Sequence, residues 1–166
     1  MDIPINNQNF MRKLITTLLC SVMLLCNAAY GFSQNYDVRT KSDITAAQLN
    51  AKLKNRLEGT GRYFIEAQEE YGVNAEFLAA IAIHESGNGS SSAARRKNNF
   101  FGLMGSRGQL SFETPRECIM TAARNISKPN GYYFARGNYT ISRIGRRWAT
   151  DKRWTSRIVA TMKGIR

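Results

Sequence analysis

The residue best placed for chemistry is Glu85, which stands in a His-Glu-Ser-Gly segment after seven apolar residues, 77–83. Burial beside an apolar helix disfavours a charged carboxylate, and so does the negative end of the helix dipole. A carboxyl that stays protonated is the acid that glycosidic bond cleavage needs, because the leaving oxygen must receive a proton. A glutamate that merely pairs with one of the many arginines fits the same residues equally well.

Few other side chains offer nucleophilic or metal chemistry. Once residues 1–31 are removed, Cys118 is the only cysteine that remains, and His84 is the only histidine in the sequence. A disulfide, a cysteine metal pair and a His-rich metal site are therefore excluded. The sequence predicts no metal and no cofactor. His84 fits a packed helix-end residue better than a proton carrier, although its titration near neutral pH leaves the second role open.

The element that must position Glu85 is a buried helix. Asn74 is a good N-cap, and the following residues are apolar on all sides, which indicates a helix buried on most faces. The stretch from Gly102 to Phe112 contains glycines at turn positions and predicts a short β-hairpin or wing.

Helices on both sides complete a mainly helical prediction. Thr114, Pro115 and Glu117 form the start of one helix, with Glu117 as the capping-box partner of Thr114. Residues 44–57 and 63–71 have apolar residues at helical spacing, a short helix is expected at 140–148, and a final helix buries Trp154. The sum is a domain of about 130 residues with one small β element, large enough to bury a core.

The N-terminal segment has the features of an export signal. A basic Arg12-Lys13 pair precedes an uncharged apolar run at 14–26, which is too short for a membrane span, and small residues follow before Phe32. We predict a signal peptide at 1–31, a polar linker at 32–43 and one domain at 44–166. A retained signal anchor is the alternative.

The chain is strongly basic. It has 24 Lys and Arg against 12 Asp and Glu; residues 1–31 hold two of the basic and one of the acidic residues, so 22 and 11 remain, a net charge of +11. Such a charge indicates polyanionic partners rather than a fold. For an exported protein we expect anionic cell-envelope polymers and not nucleic acid as partners; a basic surface kept for solubility is the alternative.

Three ordered motifs resemble one known family. The stretch LAAIAIHESGNGSSSAARRKNNFFGLMG is similar to the signature of the glucosaminidase domain of bacterial autolysins and flagellar wall hydrolases, glycoside hydrolase family 73. The segments SFETPRE at 111–117 and RWATDKRW at 147–154 resemble two later motifs of that family. The resemblance implies a mainly α (α+β), lysozyme-like fold with a central buried helix and a β-hairpin wing.

The family pattern also implies roles for particular residues. Glu85 would be the general acid, Asn98 and Asn99 would shape the groove floor, and Phe101 would pack beneath it. Trp148 stands where the family has a cleft-lining tyrosine, and an indole ring has no phenolic hydroxyl. Asn88 replaces an aromatic residue of the family turn.

Two further site residues are expected near the cleft. Glu113 lies in the hairpin region that would face it and is our candidate for a base; without a second carboxylate, the 2-acetamido oxygen of the substrate could attack the anomeric carbon. Tyr133 is a candidate sugar platform, since flat aromatic faces suit pyranose rings, although it could equally pin its loop to the core.

The resulting functional prediction is an exported peptidoglycan hydrolase. It would cut the β-1,4 bond of N-acetylglucosamine as an endo-β-N-acetylglucosaminidase, act as a monomer, and work in the periplasm or at the cell surface. One alternative is a lytic transglycosylase of lysozyme-like fold. An alternative of another class is a non-catalytic basic protein that binds the cell wall.

Overall fold

The apolar run before Glu85 forms the central helix of the fold. The computed structural model describes residues 31–166, of which Ser33–Arg166 form one packed unit. Its helices, in chain order, are α1 (Ala46–Asn50), α2 (Gly61–Tyr71), α3 (Ala75–Ser86), α4 (Ser92–Lys97), α5 (Pro115–Ser127), α6 (Ile141–Trp148) and α7 (Trp154–Ile165). Short 3₁₀ turns span Asn55–Leu57 and Phe134–Arg136.

Helix α3 is held at both ends by the residues that its sequence predicts. The Asn74 side chain accepts a hydrogen bond from the Phe77 N–H at 2.9 Å, which satisfies one of the free donors of the first turn. Gly87 ends the helix in the left-handed region at φ 58°. Residues 75–82 are all buried, and α3 packs along α7 while α2 packs along α5. The helix that carries Glu85 is therefore a fixed base for that side chain.

The β element is one antiparallel hairpin, β1 (Met104–Gly105) and β2 (Gly108–Gln109). After it, α5 begins at Pro115 as predicted, with Thr114 Oγ1 accepting from the Glu117 N–H at 3.2 Å. The Glu117 carboxylate accepts from the Glu113 N–H at 2.8 Å rather than from the N–H of Thr114. The predicted cap is confirmed, with its second bond moved one residue upstream.

Most of the linker predicted at 32–43, from Ser33 onwards, packs against the domain. Val38 is fully buried; its N–H donates to the Tyr139 carbonyl at 2.8 Å, and its carbonyl accepts from the Asn74 N–H at 2.8 Å. Asp37 pairs with Thr140 in an isolated β-bridge. The partners lie far away in sequence, so local polarity does not reveal them. The predicted signal peptide at 1–31 lies outside the described residues but for Gly31.

The single helix predicted over 44–57 is divided. Helix α1 ends at Asn50, and a 3₁₀ turn follows at Asn55–Leu57. Between them the Asn88 side chain accepts from the Lys54 N–H at 3.1 Å and donates to the Lys52 carbonyl at 3.0 Å. These long-range bonds take the backbone groups that a continuous helix would need. They also give Asn88, which replaces an aromatic residue of the family, a structural role.

Arg166, which follows the end of α7, forms ion pairs with residues early in the packed unit. Arg166 donates to the fully buried Glu76 carboxylate at 2.7 Å and also pairs with Asp43 at 2.8 Å. Ser42 Oγ donates to Glu76 at 2.6 Å. A buried carboxylate with several donors avoids the large cost of an unpaired charge. Among residues 31–166, no helix is long and apolar enough to cross a bilayer.

Candidate active site

The Glu85 carboxylate accepts two hydrogen bonds from tryptophan side chains. Nε1 of Trp154 lies 2.7 Å from Oε1, and Nε1 of Trp148 lies 3.1 Å from the same oxygen. Within residues 31–166, Oε2 receives no hydrogen bond in the structure. The two oxygens therefore differ: one is held by indole donors, and the other is open to a reacting group.

The environment of Glu85 differs from the one expected. The sequence predicts a carboxyl packed on one side against the apolar core, whereas the residue is exposed at the last turn of α3. It is the next residue, Ser86, that turns inward: its hydroxyl bonds to the Ala82 carbonyl at 2.5 Å and accepts from the Gly89 N–H at 2.8 Å. The surroundings of Glu85 are thus the polar edges of two indole rings.

The two tryptophans come from the adjoining ends of α6 and α7. Their rings are stacked, with centroids 6.1 Å apart and planes at 28°. Trp154 is only 2% exposed, so its ring is fixed by the core, while Trp148 is half-buried. Gly145 permits this approach, because a Cβ there would lie 2.5 Å from Thr155 Oγ1 and 2.9 Å from Trp154 Cε3.

Glu85 stands on a cleft of about 300 Å³ that is otherwise mostly apolar. The side chains and backbone that line it belong to Glu85, Phe101, Gly102, Leu103, Met104, Asn125, Tyr133 and Trp148. Tyr133 packs on Trp148 with centroids 5.8 Å apart. Burial raises the pKa of the Tyr133 phenol, and the positive charge of Arg147 opposes that rise. Flat aromatic walls with one carboxylate suit a sugar ring.

The structure brings together four of the seven predicted site residues, and Asn98, Asn99 and Glu113 do not line this cleft. Asn99 is buried and holds the hairpin base: its Nδ2 donates to the carbonyls of Leu103 and Leu110, both at 2.9 Å. Asn99 thus positions the loop that carries Phe101 without reaching the cleft itself.

Asn98 has a similar structural setting. It adopts a left-handed conformation at φ 48°, and its side chain donates to the carbonyls of Phe112 and Glu113 at 3.0 and 3.1 Å. Its Oδ1 accepts from Arg56 at 2.9 Å. The Glu113 side chain is exposed, and its role as a base stays a prediction.

Trp154 is the site residue that sequence reasoning missed. Its helical spacing assigned it to the inner face of the final helix, and it is indeed buried there. One signal could have found it: Trp154 ends the RWATDKRW motif, at a position where the similar motif of the family also has an aromatic residue. Periodicity locates the ring but does not say where its N–H points.

Comparison with known proteins identifies the family. Residues 61–166 match the glucosaminidase family model, described as mannosyl-glycoprotein endo-beta-N-acetylglucosaminidase. The chain belongs to this family. Two proteins named "Putative endo-beta-N-acetylglucosaminidase", from Streptococcus pneumoniae serotype 4 and from Streptococcus pneumoniae strain R6, are each 35% identical over 118 residues, 66% of this chain. The match spans 18% and 16% of those proteins, less than a fifth of their length.

Solved structures agree with the family and the fold. A catalytic glutamate-to-alanine mutant of Staphylococcus aureus autolysin E, in complex with the disaccharide NAG-NAM, superposes with a TM-score of 0.70 and 26% identity, covering 80% of this chain and 71% of that one. The catalytic domain of the Listeria monocytogenes autolysin Auto shares the fold, with a TM-score of 0.56, 15% identity, and coverage of 86% and 93%. The predicted mainly helical, lysozyme-like class is confirmed.

Proposed function

We propose that the chain is an exported peptidoglycan hydrolase that cleaves the β-1,4 bond of N-acetylglucosamine in the glycan, with Glu85 as the general acid. The observation that carries the proposal is the asymmetric carboxyl of Glu85 on an aromatic cleft, held at Oε1 and open at Oε2. Autolysin E, a related protein, has been solved with NAG-NAM and in a catalytic glutamate mutant, which supports this substrate class and a glutamate acid.

The indole donors favour one arrangement of the proton. An indole N–H can only donate, so Oε1 must act as an acceptor from both rings. In the neutral carboxyl the proton then belongs on Oε2, the oxygen without a hydrogen bond from residues 31–166. From there it would pass to the leaving glycosidic oxygen, leaving a carboxylate that the two donors stabilise.

The second catalytic group is proposed to come from the substrate. Glu85 is the only carboxylate among the residues that line the cleft described here. Attack by the 2-acetamido oxygen on the anomeric carbon would form a cyclic intermediate, which water then opens, with Glu85 now taking the proton. Two displacements at one carbon give retention of configuration. Glu113 as a base would instead predict inversion through a single water attack.

Hydrolysis of purified sacculi tests the proposal. We expect the chain to release products with N-acetylglucosamine at the reducing end, detected by borohydride reduction and mass spectrometry, and Glu85→Gln to abolish release. The glutamine keeps the size of the side chain and a carbonyl acceptor for the indoles, so sacculus binding should persist. Lysis that survives Glu85→Gln would contradict the proposal.

The same digest separates the two rival activities. A lytic transglycosylase would leave anhydro-muropeptides, and a digest containing only those products would exclude the hydrolase. A non-catalytic wall-binding protein would bind sacculi and release nothing. The net charge of +11 for residues 32–166 supports affinity for an anionic envelope in all three cases.

Export to the periplasm or cell surface rests on the N-terminal sequence pattern and on the location of the substrate. Its test is fractionation of cells that express the full chain. Accumulation of a shortened form outside the cytoplasm is expected, and a full-length form confined to the cytoplasm would contradict it.

A further inference from the structure

An exposed tyrosine beside the cleft holds two arginines from different elements. The Tyr132 ring is 61% exposed, and the guanidinium carbons of Arg136 and Arg147 lie 5.3 and 5.2 Å from its centroid. Arg136 belongs to the 3₁₀ turn Phe134–Arg136, and Arg147 belongs to α6. A guanidinium at this distance from an aromatic face gains a favourable cation–π interaction, which restricts its position.

This Arg136–Tyr132–Arg147 cluster adjoins two of the residues that line the cleft. Tyr132 meets Tyr133 edge to face with centroids 6.5 Å apart, and Tyr133 lines the cleft. Arg147 directly precedes Trp148, which also lines the cleft, and its charge acts on Tyr133 strongly enough to oppose the rise in the pKa of that phenol. The cluster therefore places two positive charges beside the cleft.

Neither guanidinium of the cluster is neutralised within the part of the chain that the structure describes. Some surface arginines have carboxylate partners, such as Arg116 with Glu66 and Arg157 with Asp151. Arg136 and Arg147 are exposed and lie within salt-bridge distance of no carboxylate among residues 31–166. The planar fork of N–H donors on a guanidinium matches a carboxylate in a two-bond geometry.

We infer that the cluster is a carboxylate-binding subsite that recognises the acidic peptide stems carried by the glycan. This inference rests on the proposed function and adds a specificity to it: the chain would prefer glycan that bears free carboxylates. Two guanidinium groups beside the same ring can bind two carboxylates of one substituent, or one carboxylate through two hydrogen bonds. A neutral glycan would bind in the aromatic cleft alone.

The test compares one substrate in two charge states. Soluble glycan strands with intact peptides are used either untreated or after carbodiimide coupling with methylamine, which turns carboxylates into neutral amides. Arg136→Gln and Arg147→Gln are measured beside Arg146→Gln, a matched control that removes one charge from the same exposed helix without a contact to Tyr132. Each cluster variant should lower kcat/KM on the untreated strands about fivefold.

The inference requires that this loss disappear on the methylamidated strands, where wild-type activity itself should already be lower. Arg146→Gln should match wild type on both substrates. Equal losses on both substrates would overturn the inference, because the arginines would then only hold Tyr132 and its loop. No loss on either would overturn it as well. Failure of the proposed function looks different: the wild-type chain would then release no reducing ends from either substrate.

Discussion

Trp154 donates its indole N–H to Oε1 of Glu85 across 2.7 Å, although the two residues are 69 positions apart. Trp154 is 2% exposed and begins α7, whereas Glu85 is exposed at the end of α3. A flexible side chain is thus held by a rigid one, whose position is set by the packing of two helices. Catalysis that depends on the orientation of Glu85 should then depend on a residue in the core.

Replacement of Trp154 by Phe tests that dependence. The change keeps an aromatic ring in the core but removes the donor, and a hydrogen bond to a charged group is worth about 1.5–3 kcal/mol. We expect kcat on soluble glycan to fall by about tenfold or more while KM changes little, because the indole contacts the acid and not the sugar. Thermal unfolding of the variant, measured by circular dichroism, controls for loss of fold. A folded variant with an unchanged kcat would show that the indole bond has no catalytic role.

Glu113→Gln distinguishes the two candidates for the second catalytic group. Glu113 does not line the cleft, and its backbone is fixed by Asn98 and Glu117 rather than by its own carboxylate. We therefore expect the variant to keep kcat within about threefold of wild type, far from the 10²–10⁴-fold loss typical when a general base is removed. The anomer first formed, observed by proton NMR, should be the retained one. A loss of a hundredfold in the variant, together with an inverted product from the wild-type chain, would identify Glu113 as the base.

The sequence predicts those parts of the molecule that local chemistry determines. The Asn74 cap, the buried helix after it and the start of α5 at Pro115 all follow from residues within one helical turn of each other. Glu85 is found in the same way, because it lies in the last turn of the most apolar helix among residues 31–166. Phe101 and Trp148 are placed at the cleft once the family pattern is added, and Tyr133 is placed there as an aromatic face that suits a sugar ring.

Features that depend on distant partners were not predictable. Val38 looks like one apolar residue in a polar linker, and only its pairing with Tyr139 and Asn74 makes it part of the core. The exposure of Glu85 depends on which way the last turn of α3 faces, and a helix apolar on all sides does not reveal that. The sequence assigns Trp154 correctly to the core, but its hydrogen bond to Glu85 depends on how α7 packs against α3.

Gly145→Ala should disturb the site from a distance. A methyl group at this position would lie 2.5 Å from Thr155 Oγ1 and 2.9 Å from Trp154 Cε3, both closer than normal contact. Helices α6 and α7 must then separate, which shifts both indole donors relative to Glu85. Overpacking of this kind costs about 1–3 kcal/mol, and we expect a lower Tm together with a kcat reduced as in Trp154→Phe.

Gly164→Ala is the matched control for that variant. Gly164 also lies in a helix, α7, but a methyl group there meets nothing within 4 Å. Alanine is favoured over glycine within helices by about 1 kcal/mol, so this variant should be as stable as wild type or slightly more stable, with unchanged activity. If Gly145→Ala behaved in the same way, close packing at Gly145 would not be what positions Trp154.

Cys118 gives the folded domain a specific sensitivity to alkaline pH. The thiol is buried in α5, and burial raises its pKa to about 12 from 9.0, with the Phe100 N–H opposing the rise. Between these pH values the unfolded chain loses the thiol proton and the folded chain keeps it. The stabilisation is therefore complete below about pH 9 and is lost as the pH rises toward 12, by up to about 1.4 kcal/mol per pH unit. In a variant that lacks Cys20 and Cys26, urea unfolding at pH 8 and pH 10.5 should show a steeper loss of stability than the same variant with Cys118→Ala, since all other titrations are shared. The same loss of unfolding free energy in both variants would contradict a buried, protonated Cys118. Reaction of the folded protein with a thiol reagent at pH 8 would contradict it as well.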